Sequence, residues 1–339
     1  MLRPYVFSNS KIHKIQSFVN HVMLDVIFNA PKIATPIFTS NLVMAKYRML
    51  IDDINVEYVL NPLVDMYRIC KILSPKDLKI LKRAVHDNNK IRQLCNGDIQ
   101  PIRYSDIDKI DSDLVKAIKV FCRHLYDDVV GLAPFYNNYE DINAYYKKLV
   151  QRSSACRCCG INKVLTKFHT NRSALDHYLP RNHYPFNSLN FKNLMPICDT
   201  CNSKYKLGQD TLYKTENKGR KNETITKIRA FYPFRRDIPD INIEINFSKP
   251  FDSTIEPKDI ELTLECLGFE EEVENWDRLF GIKENYKAEC CTDEMRLQYE
   301  EEYIAEMAYG KTHAQYIELL SRNKYANSNF LKIPFLNAI

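Results

Sequence analysis

The sequence predicts an α+β fold: a small cysteine-bracketed core over residues 151–250, a helical N-terminal region over 1–150, and an acidic, mostly helical C-terminal region over 251–339. Three observations predict it. Apolar residues recur at helical spacing through the first 150 positions. At residue 152 that periodicity gives way to short polar segments with Pro and Cys, which run to about residue 215. The charge changes with it, because the three regions carry 21, 18 and 9 Lys+Arg against 16, 8 and 19 Asp+Glu. The middle is therefore strongly basic and the tail acidic.

Bulk composition narrows the function class. A chain of 339 residues exceeds what one core usually holds, so two or three substructures are expected. No apolar run approaches the roughly 18 residues of a membrane span. The opening stretch, MLRPYVFSNSKIHK, has no charged segment followed by an apolar one, so no secretory signal is read and a cytoplasmic location is expected. In that reducing setting the odd count of eleven cysteines argues for thiols and metal ligands rather than a disulfide framework. Cys70, Cys95, Cys122, Cys266, Cys290 and Cys291 lack ligand spacing and read as ordinary thiols. A basic middle region suits a polyphosphate partner, nucleic acid above all.

Taken in order, residues 11–30 read as an amphipathic helix through Ile12, Ile15, Val19, Val22, Met23, Val26 and Ile27, ending before Pro31. A second periodic stretch covers about 55–73. Ser74-Pro75-Lys76-Asp77 then starts a fresh helix, with Ser74 as N-cap and Pro75 in the first turn. Residues 111–126 and 139–152 repeat the helical pattern. His13, His21, His86 and His124 fall on these helices as surface or core residues. Beyond the centre, 223–232 and 241–247 alternate apolar and polar residues as half-buried strands do. Residues 255–339 return to helical periodicity, with Trp276, Leu279 and Phe280 packing the tail onto the rest.

The chemistry concentrates in residues 156–206. Cys156-x-x-Cys159-Gly160 is a knuckle, since two thiolates three apart reach one ion while the glycine allows the tight turn. Cys198-x-x-Cys201 supplies the second pair, completing a tetrahedral, closed site for structural Zn²⁺. Cys158 lies inside the first pair and is the competing ligand; spacing favours Cys156 and Cys159. Between the pairs stand Asp176-His177 and Asn193, and Asn202 follows the last cysteine. A neutral His accepts a proton from water. Asp and Asn oxygens are hard donors for a divalent ion such as Mg²⁺ or Mn²⁺.

This order of residues, a CxxC, then DH, then NL, then CxxCN, resembles the HNH endonucleases, whose fold is the ββα-metal motif. The resemblance implies His177 as general base and Asp176 with Asn202 as ligands of a catalytic metal. Asn193 would orient His177 or its loop, and DNA would be the substrate, cut to leave a 5′-phosphate and a 3′-hydroxyl. A Lys commonly stands three residues after the third signature position; here that residue is Tyr205, flanked by Lys204 and Lys206. The longer run LDHYLPRNHYPFNSLNFKNLMPICDTCNSKYK is similar to a subgroup of standalone HNH proteins. FYPF at 231–234 looks like that subgroup's downstream strand, and WDRLFGI at 276–282 like its following helical segment. Some relatives are nuclease components of Septu-like anti-phage systems, which implies an ATPase or other protein partner and a role in antiviral defence.

Arg181, Lys192, Lys204 and Lys206 are candidate nucleic-acid contacts, with Arg235 and Arg236 behind them, although surface solvation explains such residues about as well. His169 fits a strand surface and His183 a phosphate contact. Tyr178, Tyr184 and Phe186 read as packing for the loop after His177. Two other readings stand beside the nuclease: a non-catalytic zinc-ribbon module that binds nucleic acid, and an interaction subunit whose helical flanks matter most. Only the nuclease gives Asp176, His177 and Asn202 a task.

Overall fold

The computed structural model describes residues 1–339 other than Arg152, Lys218 and Ile238. It is a mixed α+β protein, in which helices dominate both flanks and the sheets are short two-stranded ribbons. No described helix is long and apolar enough to cross a membrane.

The N-terminal region is helical as its periodicity predicts. The helices that position the site are α1 (Leu60–Cys70), α2 (Pro75–Asn88), α3 (Ser112–His124) and α4 (Ile142–Val150). Ser74 caps α2 by accepting the Asp77 N–H, with Pro75 in the first turn, and Asp111 and Asp141 cap α3 and α4 in the same way. The stretch read as one helix over 11–30 is instead a chain of short turns: 3₁₀ at Lys11–Lys14, α at Ile15–Asn20, π at His21–Val26 and 3₁₀ at Ile27–Lys32. Its periodic apolar residues are nevertheless buried. Burial set the hydrophobic pattern, whereas the pitch is adjusted locally around Pro31.

Strands β1 (Leu175–His177) and β2 (Leu194–Pro196) form an antiparallel hairpin in the centre, with Asp176 opposite Met195 and His177 opposite Leu194. A π turn follows at Thr200–Lys206. Strand β3 (Tyr213–Glu216) pairs with β4 (Thr224–Lys227). The expected strand over 223–232 is therefore shorter, and it is mostly exposed rather than half-buried. FYPF at 231–234 lies in a turn, not a strand. Strand β5 (Asn242–Phe247) pairs with β6 (Ile260–Glu265), a strand inside the stretch read as helical. IELTLE alternates buried and exposed positions, so its period of two is real, and its glutamates are the solvent face. Helices α5 (Glu270–Phe280), α6 (Ile282–Cys290) and α7 (Asn329–Ala338) belong to the tail.

The three regions bury their apolar residues in one continuous core. The centre has little regular structure, so its buried carbonyls lack ladder partners and take donors from the flanks. Tyr126, Tyr145 and Tyr146 donate to the carbonyls of Leu175 (2.9 Å), Phe191 (3.1 Å) and Leu165 (2.6 Å). From the other side, Trp276 Nε1 reaches Cys158 O at 2.8 Å and Tyr286 reaches Cys159 O at 2.7 Å. Trp276, Leu279 and Phe280 are buried, as their apolar character predicts.

Candidate metal centre and histidine loop

Cys156, Cys159, Cys198 and Cys201 converge, with all four sulfurs within 4.8 Å of one another and all buried. Zn–S bonds of about 2.3 Å in a tetrahedron place the sulfurs about 3.8 Å apart. The Cys159 and Cys198 sulfurs are 4.0 Å apart, close to that edge and far too long for a disulfide. The quartet can therefore hold a zinc ion. Backbone and amide N–H groups point at it, since Cys201 N lies 3.4 Å from Cys198 Sγ and Asn162 Nδ2 lies 3.9 Å from Cys159 Sγ, and such contacts orient thiolate ligands. Hydrogen bonds from Cys158 first, then from Cys159, Cys198 and Cys201, hold the Cys156 thiol well below the usual range. Cys158 is buried but outside the quartet. The converging pair is the one that spacing favours. The remaining cysteines are free thiols.

His177 ends β1 with its ring buried at 8% exposure. Its Nε2 is 2.9 Å from the Ser188 carbonyl. A carbonyl only accepts, so Nε2 carries the proton and Nδ1 keeps the lone pair. Burial pushes the pKa down to about 4, against smaller raising effects of the Ser188 carbonyl and Asp176. The imidazole is therefore neutral at pH 7.

The loop between the strands is held from several sides. Asn193 is fully buried and fastens the loop base: its Oδ1 accepts Leu179 N at 2.8 Å and its Nδ2 donates to Leu179 O at 3.0 Å. Of the two roles expected for Asn193, this is the loop-orienting one. Phe186 sits at φ +70°, a conformation costly for a bulky residue. Its carbonyl accepts Gln16 Nε2 at 3.0 Å and Asn89 Nδ2 at 3.2 Å, which holds it there. The N-terminal region thus sets the loop that carries the Ser188 carbonyl. Tyr178, Tyr184 and Phe186 are buried in it, as expected.

Asp176 is not a bare carboxylate. Lys206 Nζ lies 2.7 Å from its Oδ2 and donates to the His177 carbonyl at 2.8 Å. Lys206 is 1% exposed, which removes it from the expected surface phosphate contacts. The π turn explains its direction. Leu207 N bonds to Asn202 O across five residues, and the wider turn swings the fourth residue after Asn202 onto the site side. Tyr205 packs instead against Gly281, where any Cβ would strike its ring. At 2.7 Å the ammonium contact is a charge-assisted hydrogen bond, so Lys206 occupies the buried Oδ2. Asp176 and half-buried Asn202 carry oxygen donors of the hard kind that divalent cations take.

Nothing in the sequence marks the residue that covers the histidine. Tyr126, just past α3, meets His177 edge to face, with ring centroids 4.4 Å apart. Beside it Asp127 Oδ1 accepts from Arg181 Nη1 at 2.8 Å, and the Arg181 guanidinium lies over the Tyr126 ring. Lys192 and Lys204 are exposed. Arg235 is tied to Asp237 and packed over Phe231 and Phe269, which explains it without a phosphate. His169 is exposed in a turn, not on a strand. Burial lowers the His183 pKa. Compared with protein-family models, with curated proteins and with solved structures, this chain has no match.

Proposed function

We propose that this chain is a metal-dependent HNH-type endonuclease that hydrolyses phosphodiester bonds in DNA. One observation carries the reading: a buried, neutral histidine with a fixed tautomer and a free Nδ1, adjacent in the chain to a carboxylate that Lys206 holds. His177 would take the proton of the attacking water at Nδ1 while Nε2 stays on Ser188 O. Asn193 would keep that loop from shifting. A divalent ion held by Asp176 and Asn202 would supply positive charge at the scissile phosphate and the leaving oxygen. Lys206 would fix the Asp176 carboxylate and share its charge, which makes metal binding weak in the free protein. The four-cysteine zinc would be purely structural.

The same reading includes restraint. Tyr126 covers the imidazole and Asp127 ties up the Arg181 guanidinium next to it, so the isolated chain would cleave slowly until a partner shifts the segment after α3. An ATPase subunit of an anti-phage system is the partner that the sequence resemblance implies. That cover, with Lys206 on Asp176, also favours a second reading, a zinc-bearing nucleic-acid-binding or interaction subunit without catalysis.

A plasmid-cleavage assay with Mg²⁺ or Mn²⁺ separates the two. Nicking or linearisation by the wild type, lost in folded, zinc-replete His177→Ala, is the expected result. A zinc-loaded wild type that leaves plasmid intact with and without its partner would establish the non-catalytic reading.

A further inference from the structure

A groove of about 530 Å³ lies beside the central core, between the Val6–Ser8 segment and the C-terminal half of α4. Lys147, Lys148 and Lys167 line it and no acidic residue does. Lys148 is tied to Glu140, whereas Lys147, Lys167 and Lys192 make no salt bridge among the described residues. Two lysine–phenylalanine pairs frame the groove. Lys167 lies 5.3 Å from the ring centre of Phe168, which is 74% exposed. Lys192 lies 5.6 Å from that of Phe7, which is 44% exposed. Phe168 is a large apolar ring left in water beside a cation, a poor choice for a solvated surface, while Phe7 is stacked on His13 and keeps part of its ring open beside Lys192. They match a ligand that presents flat apolar faces and negative charge in alternation.

The groove also leads to the histidine. Asn143 and Lys147 are four apart, so they follow one side of α4 over about 6 Å, and Gln151 stands just past its end. At its N-terminal end Arg172 Nε donates to Asn143 Oδ1 at 3.1 Å. The Arg181 guanidinium lies over the Tyr126 ring, which meets His177 edge to face, and Asp127 pairs with that guanidinium. A line of cations therefore runs from Lys167 and Lys147 to Arg172, with the Arg181–Asp127 pair beside the covered imidazole.

We propose that this path binds a single-stranded nucleic acid, with backbone phosphates on Lys147, Lys167 and Arg172 and bases stacked on Phe168 and Phe7. A duplex hides its base faces and would leave both rings unused, while a single strand uses rings and cations together. The proposal rests on the nuclease reading only for what happens at His177; binding itself needs no chemistry.

The test is fluorescence anisotropy of a labelled twenty-nucleotide oligothymidylate, with the full chain in zinc-containing buffer without added Mg²⁺ or Mn²⁺. Wild type is expected to bind. The double reversal Lys147→Glu/Lys167→Glu should weaken binding at least about tenfold and lower the salt slope by about 1.4, two phosphates at about 0.7 each for a single strand. Phe168→Ala should weaken it about fivefold or more without changing the slope. Lys79→Glu, a reversal on α2, should leave binding as it is. Unlabelled oligothymidylate should compete better than a duplex of the same length, and an oligouridylate arm tells DNA strands from RNA strands. Circular dichroism and zinc content confirm that each variant is folded. No binding by the wild type, equal binding by the double reversal, or better competition by the duplex would each overturn the track. Groove-dependent binding together with a plasmid left intact in the Mg²⁺ or Mn²⁺ assay, with and without the partner, would overturn the nuclease reading alone.

Discussion

The cysteine quartet and the histidine loop lie within fifty residues of each other and are built to opposite plans. The quartet is closed: four ligands from two short motifs, all buried, with N–H groups on the sulfurs. The histidine loop is borrowed. Its base is oriented by a carbonyl that Gln16 and Asn89 hold in place through Phe186, its face is covered by Tyr126, and its carboxylate is neutralised by Lys206. A staple needs only local geometry, and a reactive histidine needs an environment, which the rest of the chain provides.

The sharpest way to break this contrast is to remove the staple. Chelation, or Cys198→Ser, is expected to unfold the whole protein rather than the centre alone. Structural zinc contributes about 10 kcal/mol or more, comparable to the entire stability of a domain. Loss of far-ultraviolet circular dichroism together with a single equivalent of zinc would show it; an apo protein that melts at the holo temperature would refute the closed plan. His177→Ala should do the reverse, leaving zinc content intact and lowering stability by no more than about 3 kcal/mol. Under the proposed function it lowers cleavage at least about 100-fold.

Lys206→Met probes the borrowed charge. Leaving a largely buried Asp176 without its cation should cost about 3 kcal/mol in denaturant melts, and Asp176→Asn in the same chain should return part of it. Additive losses in that double-mutant cycle would mean that the pair does not interact. A smaller effect is expected of Tyr126→Phe, about 1 kcal/mol for the bond to the Leu175 carbonyl. Tyr126→Ala should speed the reaction of His177 with diethylpyrocarbonate, read by peptide mass; a wild-type His177 that reacts as fast as a free imidazole would refute the cover. Nitrogen NMR should find the proton on Nε2 of His177 at pH 7, at no energetic cost.

What the sequence made legible follows the same division. The quartet, the Ser74 cap, the helices at 112–124 and 142–150 and the strand at 242–247 were readable because each is written in a few neighbouring residues. Asp176, His177, Asn193 and Asn202 were readable as a motif, but their surroundings were not. Tyr126 lies some fifty positions from His177, and nothing in its own neighbourhood marks it as a lid. Lys206 reads as a surface phosphate contact from its charge alone, and nothing in the sequence marks the π turn that buries it. Strand β6 was missed because its glutamates, all on the solvent face, imitate a solvated helix.

The carbonyls that the flanks satisfy make residues 151–250 a poor cassette for transplantation. Cut free, that segment would keep its cysteines and its DH dipeptide. It would lose the donors from Tyr126, Tyr145, Tyr146, Trp276 and Tyr286 and would expose to water the apolar surface that the flanks now cover. Any grafting, shuffling or truncation of this protein should therefore carry the helices and the centre together, and a variant is best designed by moving single side chains within the intact chain.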